Sequence, residues 1–78
     1  MPTILVVGPY RFFFYSSDAN EPIHVHVQSE DSSAKVWVKP LRLQSSKGFN
    51  QRQISEILKI VERHIPLFER KWHEYFKF

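Results

Sequence analysis

The periodicity of the apolar residues changes once along this chain, and the change divides the chain into two parts. In the first part apolar and polar side chains alternate in short runs, most clearly at Val25, Val27, Val36 and Val38. From residue 50 onward the apolar residues recur every three or four positions instead. Alternation is typical of strands with one buried face, and the longer period is typical of amphipathic helices. The sequence therefore predicts an α+β fold, in which an antiparallel β-meander precedes C-terminal helical structure.

The first part contains short β-prone runs that are separated by residues typical of turns. The meander is expected to contain three to five strands, over Thr3–Val7, 10–16, His24–Ser29 and 34–39, with a brief further strand at 41–43. A loop at 17–22 and a polar turn at 30–33 separate the middle strands. In the second strand Phe12 and Phe14 share the more apolar face, so we expect these two rings in the core.

The second part begins with a helix start signal and contains one interruption. Asn50 is a predicted N-cap, with Gln53 at the spacing of a capping box. Pro66 then predicts a kink or break near 64–65, because proline disrupts a helix interior, with helical structure continuing to about Phe76. We therefore expect one long kinked helix or two consecutive helices, packed on one face of the sheet. The apolar stripe that would face the sheet comprises Ile54, Ile57, Leu58, Val61, Ile65, Phe68 and Trp72.

Length, composition and charge narrow the classes of protein to which the chain can belong. Its 78 residues predict a single domain spanning 1–78. The absence of cysteine excludes disulfides and thiolate metal sites. No apolar run approaches the roughly 20 residues of a membrane span, so we expect a cytoplasmic protein without membrane association. The net charge of +3 and a pI near 9.5 favour anionic partners such as nucleic acid.

Two histidines in the third predicted strand mark the first candidate site. Since side chains two residues apart point to the same side of a strand, Val25 and Val27 would face the core and His24 and His26 would stand together on the other side. Imidazoles titrate near neutral pH and suit general acid–base catalysis of phosphodiester cleavage. His24 and His26 are therefore the predicted catalytic residues.

A metal site at this histidine pair lacks an identified third ligand. A catalytic zinc site uses three protein ligands and leaves one position for water. Asp18 and Glu21 in the preceding loop could supply the third ligand, as could His73 if the C-terminal helix folded back. Spacing alone does not choose among them, and Asp18 is first of all a residue type common in turns. The sequence therefore predicts no bound metal and no other cofactor.

Basic and aromatic side chains would share the histidine face if the second, third and fourth strands are neighbours. Cationic groups neutralise phosphates, and aromatic rings stack on unpaired bases. The predicted nucleic-acid-binding residues are Arg11, Tyr15, Lys35, Trp37 and Lys39. Two other interpretations use the same residues without catalysis: an aromatic interface for a partner protein, or a half-exposed face that simply tolerates polar side chains.

Several motifs, taken together, resemble a known family. They are the opening 1–4, the aromatic run 10–16, the stretch 21–27 with the paired histidines, and the segments 34–37, 48–49 and 72–76. In order and spacing they resemble small bacterial proteins known as domain of unknown function 4160. That pattern usually has a second proline where Ile23 stands here, and generally no proline at the position of Pro66. The family has no established activity, but its members are often encoded beside another small protein, similar to toxin–antitoxin pairs.

The resemblance and the residues lead to one functional hypothesis and one alternative. The leading hypothesis is a component of a toxin–antitoxin type module that binds or cleaves RNA through an exposed sheet face carrying His24 and His26. The alternative is a non-enzymatic module that binds a partner protein through the same aromatic face. Either role implies a small partner protein. An exposed edge strand at Thr3–Val7 or 41–43 also hints at pairing between copies of the chain.

Overall fold

The computed structural model of the chain, which describes residues 3–77, contains a five-stranded antiparallel sheet followed by two helices. The strands are β1 (Thr3–Val7), β2 (Tyr10–Phe13), β3 (His24–Ser29), β4 (Ser32–Val38) and β5 (Leu41–Lys47), and the helices are α1 (Gln51–Arg63) and α2 (Ile65–Phe76). Consecutive strands are neighbours in the order β1-β2-β3-β4-β5. This confirms the predicted α+β meander and helices. Met1 and Pro2 of the opening motif lie outside the described residues.

Three strands differ in extent from those predicted. β2 ends at Phe13, because the segment Ser16–Asn20 forms a turn of 3-10 helix instead of continuing the strand. β4 begins at Ser32, since only Glu30 and Asp31 connect it to β3, with Glu30 at a φ of 53°. β5 extends to 47, well beyond the predicted 41–43. Its second half is polar throughout, so it carries no alternation from which a strand could be predicted.

The core lies between the helices and one face of the sheet. The predicted rings Phe12 and Phe14 are fully buried, and they pack against α2 with centroid separations of 5.8 Å to Phe68 and 5.1 Å to Trp72. Four members of the predicted helical stripe are buried, and the other three are partly buried. The remaining fully buried apolar side chains are Val25, Val27, Val36 and Val38. The predicted core is therefore confirmed.

The two helices begin and separate where the sequence predicts. Asn50 Oδ1 accepts a hydrogen bond from the Gln53 N–H at 2.8 Å, and the Gln53 side chain accepts one from the Asn50 N–H at 2.9 Å. This reciprocal capping box starts α1. His64 separates α1 from α2, and Pro66 lies in the first turn of α2, where a missing N–H leaves no bond unmade. Within residues 3–77 neither helix has the length and apolar character needed to cross a membrane.

Two glycines predict a matched pair of alanine variants. Gly8 and Gly48 adopt positive φ values of 56° and 94°. A Cβ on Gly8 would meet no atom within 4 Å, whereas one on Gly48 would clash with Oγ of Ser32 and lie 3.1 Å from its Cβ. We expect Gly8→Ala to lower the free energy of unfolding by about 1 kcal/mol and Gly48→Ala by about 2–4 kcal/mol. Urea denaturation measures both, and equal losses would contradict the steric contact.

Candidate functional site

One carboxylate and two imidazoles meet at the start of β3. The side chains of Asp18, His24 and His26, called here the Asp–His–His cluster, each contribute a nitrogen or oxygen atom within 4.8 Å of the others. Nε2 of His24 lies 3.1 Å from Oδ1 of Asp18, and Nε2 of His26 lies 3.1 Å from Oδ2. The carboxylate therefore bridges the two rings. Of the three candidate third ligands that spacing left open, Asp18 is the one beside the histidines.

The 3-10 turn holds Asp18 in place. The Asp18 backbone N–H donates to the carbonyl of Tyr15, and its own carbonyl accepts from the N–H of Glu21, both at 3.1 Å. Oδ2 also accepts a hydrogen bond from the Tyr15 N–H at 2.8 Å. Asp18 is only 6% exposed, whereas an aspartate in a turn is usually on the surface. Its backbone and its side chain are both constrained, which orients the carboxylate toward the histidines.

His24 is fully buried, which corrects the expectation that it lies on an exposed face. Its ring packs edge-on against Trp37 and Trp72, at centroid distances of 5.4 Å and 5.2 Å. Trp72 belongs to α2, so the burial depends on a distant segment that the alternation within β3 does not reveal. Nδ1 lies 2.9 Å from the Pro22 carbonyl oxygen. Because a carbonyl only accepts hydrogen bonds, Nδ1 carries the proton and donates it.

His26 is the most exposed member of the cluster, with 16% of its side chain accessible. Its ring stacks on Phe13 at 5.6 Å and meets the edge of Tyr15 at 4.4 Å. Burial lowers the pKa of His26, and this effect outweighs the nearby Asp18 carboxylate, which favours the imidazolium. The His24 and His26 ring centroids are 5.1 Å apart. The two rings therefore share one side of the strand, as the alternation predicts.

A groove of about 320 Å³ opens beside His26. Its polar and aromatic lining, which defines the groove below, comprises Tyr15, His26, Ser33, Lys35, Ser45, Ser46 and Lys47. The last three residues belong to β5 and were not among the predicted site residues, because the predicted strand ended at 43. A run of polar residues has no apolar positions that would show on which face each side chain lies. The pairing of β5 with β4 is what brings these residues to the site.

The register confirms the strand adjacency that the predicted sheet face requires. Phe13 pairs with His26 across β2 and β3, and His26 pairs with Lys35 across β3 and β4. The Lys35 ammonium lies 4.9 Å from the Trp37 ring and forms an ion pair with Glu21. This hydrogen-bonded pair lowers the pKa of Glu21. Glu21 is thereby engaged away from the Asp–His–His cluster.

Two of the predicted nucleic-acid-binding residues lie away from the groove. The Arg11 guanidinium sits 4.3 Å above the Phe13 ring and donates to the Gln28 side chain at 2.7 Å. Lys39 lies just beyond the end of β4, 3.4 Å from a carboxylate oxygen of Glu69 on α2. His73 is exposed on α2 and does not join the cluster. The groove therefore keeps Tyr15 and Lys35 from the predicted set, with Trp37 adjoining Lys35.

The opposing influences on His26 predict how its titration responds to two substitutions. In the wild type we expect an NMR titration midpoint below the ordinary value of 6.5, because burial disfavours the imidazolium. Asp18→Asn removes an attractive charge and should lower the midpoint further. Tyr15→Ala uncovers the ring and should raise the midpoint toward 6.5. A wild-type midpoint above 6.5 would contradict the dominance of burial.

The same shift predicts the direction of a stability change with pH. The folded pKa of His26 lies below its unfolded value of 6.5, so the unfolded chain binds this proton more tightly. The contribution of His26 to stability is therefore complete above pH 6.5 and is lost as the pH falls from that value through the folded pKa. Urea denaturation of the wild type and His26→Gln across this range measures the difference, which should shrink at the lower pH.

Most of the chain matches one known protein family. Residues 10–73 match the family described as Domain of unknown function (DUF4160). The matched segment begins with β2 and ends within α2, so it contains the whole Asp–His–His cluster and the groove. No curated protein and no solved structure matches the chain. Because the matched segment covers most of the sequence, the protein belongs to the DUF4160 family.

Proposed function

We propose that the protein binds single-stranded RNA along the groove. The supporting observation is the lining of the groove, which combines an exposed aromatic ring with two ammonium groups and three serine hydroxyls. Lys35 and Lys47 would attract phosphates, and the hydroxyls of Ser45 and Ser46 would donate hydrogen bonds to phosphate oxygens. Tyr15 is 39% exposed and would stack on a base. These groups match the chemistry of an unpaired, anionic polynucleotide.

The position of the groove supports a single-stranded ligand. His26 and Lys35 alternate with the buried Val27 and Val36, so they lie on the sheet face opposite the helical core. A base can stack on Tyr15 only when it is free of its neighbours, as in loops and unpaired strands. A duplex would present phosphates alone to this face. The proposal therefore expects a preference for unpaired RNA.

The ion pair between Lys35 and Glu21 is compatible with phosphate binding. The Glu21 side chain is 44% exposed, and exposed ion pairs contribute little to stability because water and salt screen them. A phosphate group can therefore replace the Glu21 carboxylate at the Lys35 ammonium at small cost. Lys35 remains positioned by its contact with Trp37 in either case.

The exposed apolar surface favours RNA over the alternative of a partner protein on this same face. Among residues 3–77, the large hydrophobic side chains that are exposed are Val6, Tyr15 and Tyr75, and only Tyr15 lines the groove. The centre of a protein interface is formed by apolar and aromatic side chains that lose contact with water on binding. The Phe13 ring cannot contribute to such a centre, because it is already buried within the protein. The face is therefore better suited to a charged ligand.

Cleavage of the bound RNA stays a prediction. Because His24 is buried and His26 is partly exposed, the two histidines would have different roles in cleavage. RNA in the groove would contact His26, whereas the buried His24 would act on His26 through the shared Asp18 carboxylate. Membership in a toxin–antitoxin module with a small partner protein also stays a prediction, which depends on the family resemblance alone.

Charge reversal in the groove tests the proposed binding. We expect Lys47→Glu to weaken the affinity for a labelled single-stranded RNA about tenfold at low salt, equivalent to about 1.4 kcal/mol. Tyr15→Ala should weaken it by about 1–3 kcal/mol through the loss of stacking on one base. Lys59→Glu on the exposed surface of α1 is the matched control, because it changes the net charge equally and should leave the affinity nearly unchanged. Fluorescence anisotropy measures all four proteins.

The outcome that contradicts RNA binding is equal weakening by Lys47→Glu and Lys59→Glu, or no affinity of the wild type at low salt. Either result would return the sheet face to the protein-partner hypothesis. Gel electrophoresis of the same RNA after incubation tests cleavage separately. A product formed equally by the wild type and His26→Ala would exclude a catalytic role for His26.

A further inference from the structure

We propose that Asp18, His24 and His26 bind a divalent first-row transition-metal ion, with Zn²⁺ as the representative. Two imidazoles and one carboxylate form a donor set that occurs in mononuclear zinc and iron enzymes. The inference is independent of the proposed RNA binding, because it depends on the Asp–His–His cluster and not on the cationic lining of the groove.

The observation that points to a cation is the unpartnered Nε2 of His24. The Nδ1 proton of this ring is donated to the Pro22 carbonyl, so in the neutral ring Nε2 carries a lone pair. Nε2 is buried, forms no hydrogen bond and faces Oδ1 of Asp18 at 3.1 Å. A lone pair and a carboxylate oxygen repel at this distance, and burial deprives Nε2 of water. A metal ion between them would turn both atoms into ligands and remove the repulsion.

The separations within the cluster are close to those of a coordination site. With metal–ligand bonds of about 2.1 Å, the ligand atoms of a tetrahedral site are roughly 3.4 Å apart. The two nitrogen–oxygen separations are both 3.1 Å, and the atoms of all three residues lie within 4.8 Å of one another. Small rotations of the side chains therefore suffice to surround an ion.

Each ligand is already oriented by a contact outside the cluster. The Pro22 carbonyl fixes the His24 ring, and the Tyr15 N–H fixes the Asp18 carboxylate. The His26 ring is held against Phe13 and Tyr15. Metal-binding histidines commonly donate their second nitrogen to a carbonyl or carboxylate in this way, which sets the tautomer and aims the free nitrogen. The proton of the neutral His26 ring would move from Nε2 to Nδ1 through water, so that Nε2 is free to bind the ion, and the ion would replace the hydrogen bond to Asp18.

The site would leave one coordination position open. Three protein ligands occupy three positions of a four-coordinate ion, as in catalytic zinc sites. His24 and Asp18 are almost completely buried, whereas His26 is partly exposed and lines the groove. The remaining position would therefore open toward the groove, where water or an oxygen atom of a substrate could enter.

Metal titration of the full chain tests this inference. After removal of metals with a chelator, we expect calorimetry to show one Zn²⁺ per chain and Co²⁺ to develop the visible absorption of a four-coordinate site. Mg²⁺ should not compete, because it prefers oxygen ligands. Asp18→Asn and His26→Gln should each weaken the Zn²⁺ affinity by at least about 100-fold. His73→Gln removes an exposed imidazole on α2 and is the matched control, with unchanged affinity expected.

Imidazole nitrogen NMR gives a readout that does not require a His24 variant, which would create a cavity in the core. On addition of Zn²⁺ we expect the Nε2 resonances of His24 and His26 to shift while Nδ1 of His24 stays protonated. The inference is overturned if the wild type binds no Zn²⁺, if His26→Gln binds it as tightly as the wild type, or if the resonances of His64 and His73 shift instead. It is also overturned if His24 carries protons on both nitrogens and Zn²⁺ does not displace them.

Discussion

The arrangement of the site depends on one buried carboxylate. Burying an ionised carboxyl group is unfavourable unless hydrogen bonds or opposite charges compensate for the lost water. Asp18 receives hydrogen bonds from the Tyr15 N–H and from His26, both at Oδ2, and its other oxygen faces His24. These contacts join the 3-10 turn to β3, so the conformation of the turn and the positions of both histidines are set together.

Strand β3 contributes side chains both to the core and to the candidate site. Its valines pack beneath the helices, while its histidines lie on the other side, with one ring in the wall of the groove. Trp72 connects the two regions, because it packs on Phe14 within the core and also covers His24. The packing of α2 is therefore one reason why His24 is fully buried while His26 is partly exposed. A change in the packing of α2 would therefore alter the contact that buries His24.

The parts of the structure that were predictable are those that local patterns determine. Alternation placed Val25 and Val27 in the core and the histidines together, because strand geometry fixes this for neighbouring residues. The burial of Asp18 was not predictable, since aspartate is common in exposed turns. The burial of His24 required Trp72, which lies in a helix far along the chain. No bound metal was predicted because the sequence did not identify a third ligand. The structure places Asp18 beside both histidines, so that reason no longer applies.

The two proposals share the His26 ring and are physically compatible. A cation bound by the Asp–His–His cluster would place positive charge behind the wall of a groove that already contains Lys35 and Lys47. Phosphate oxygens are ligands for such ions as well as for ammonium groups, so an ion would strengthen RNA binding and would face the phosphodiester. RNA affinity that is equal with and without a chelator would show that the lysines and Tyr15 act alone. The metal site and the RNA-binding groove can therefore be established or rejected separately.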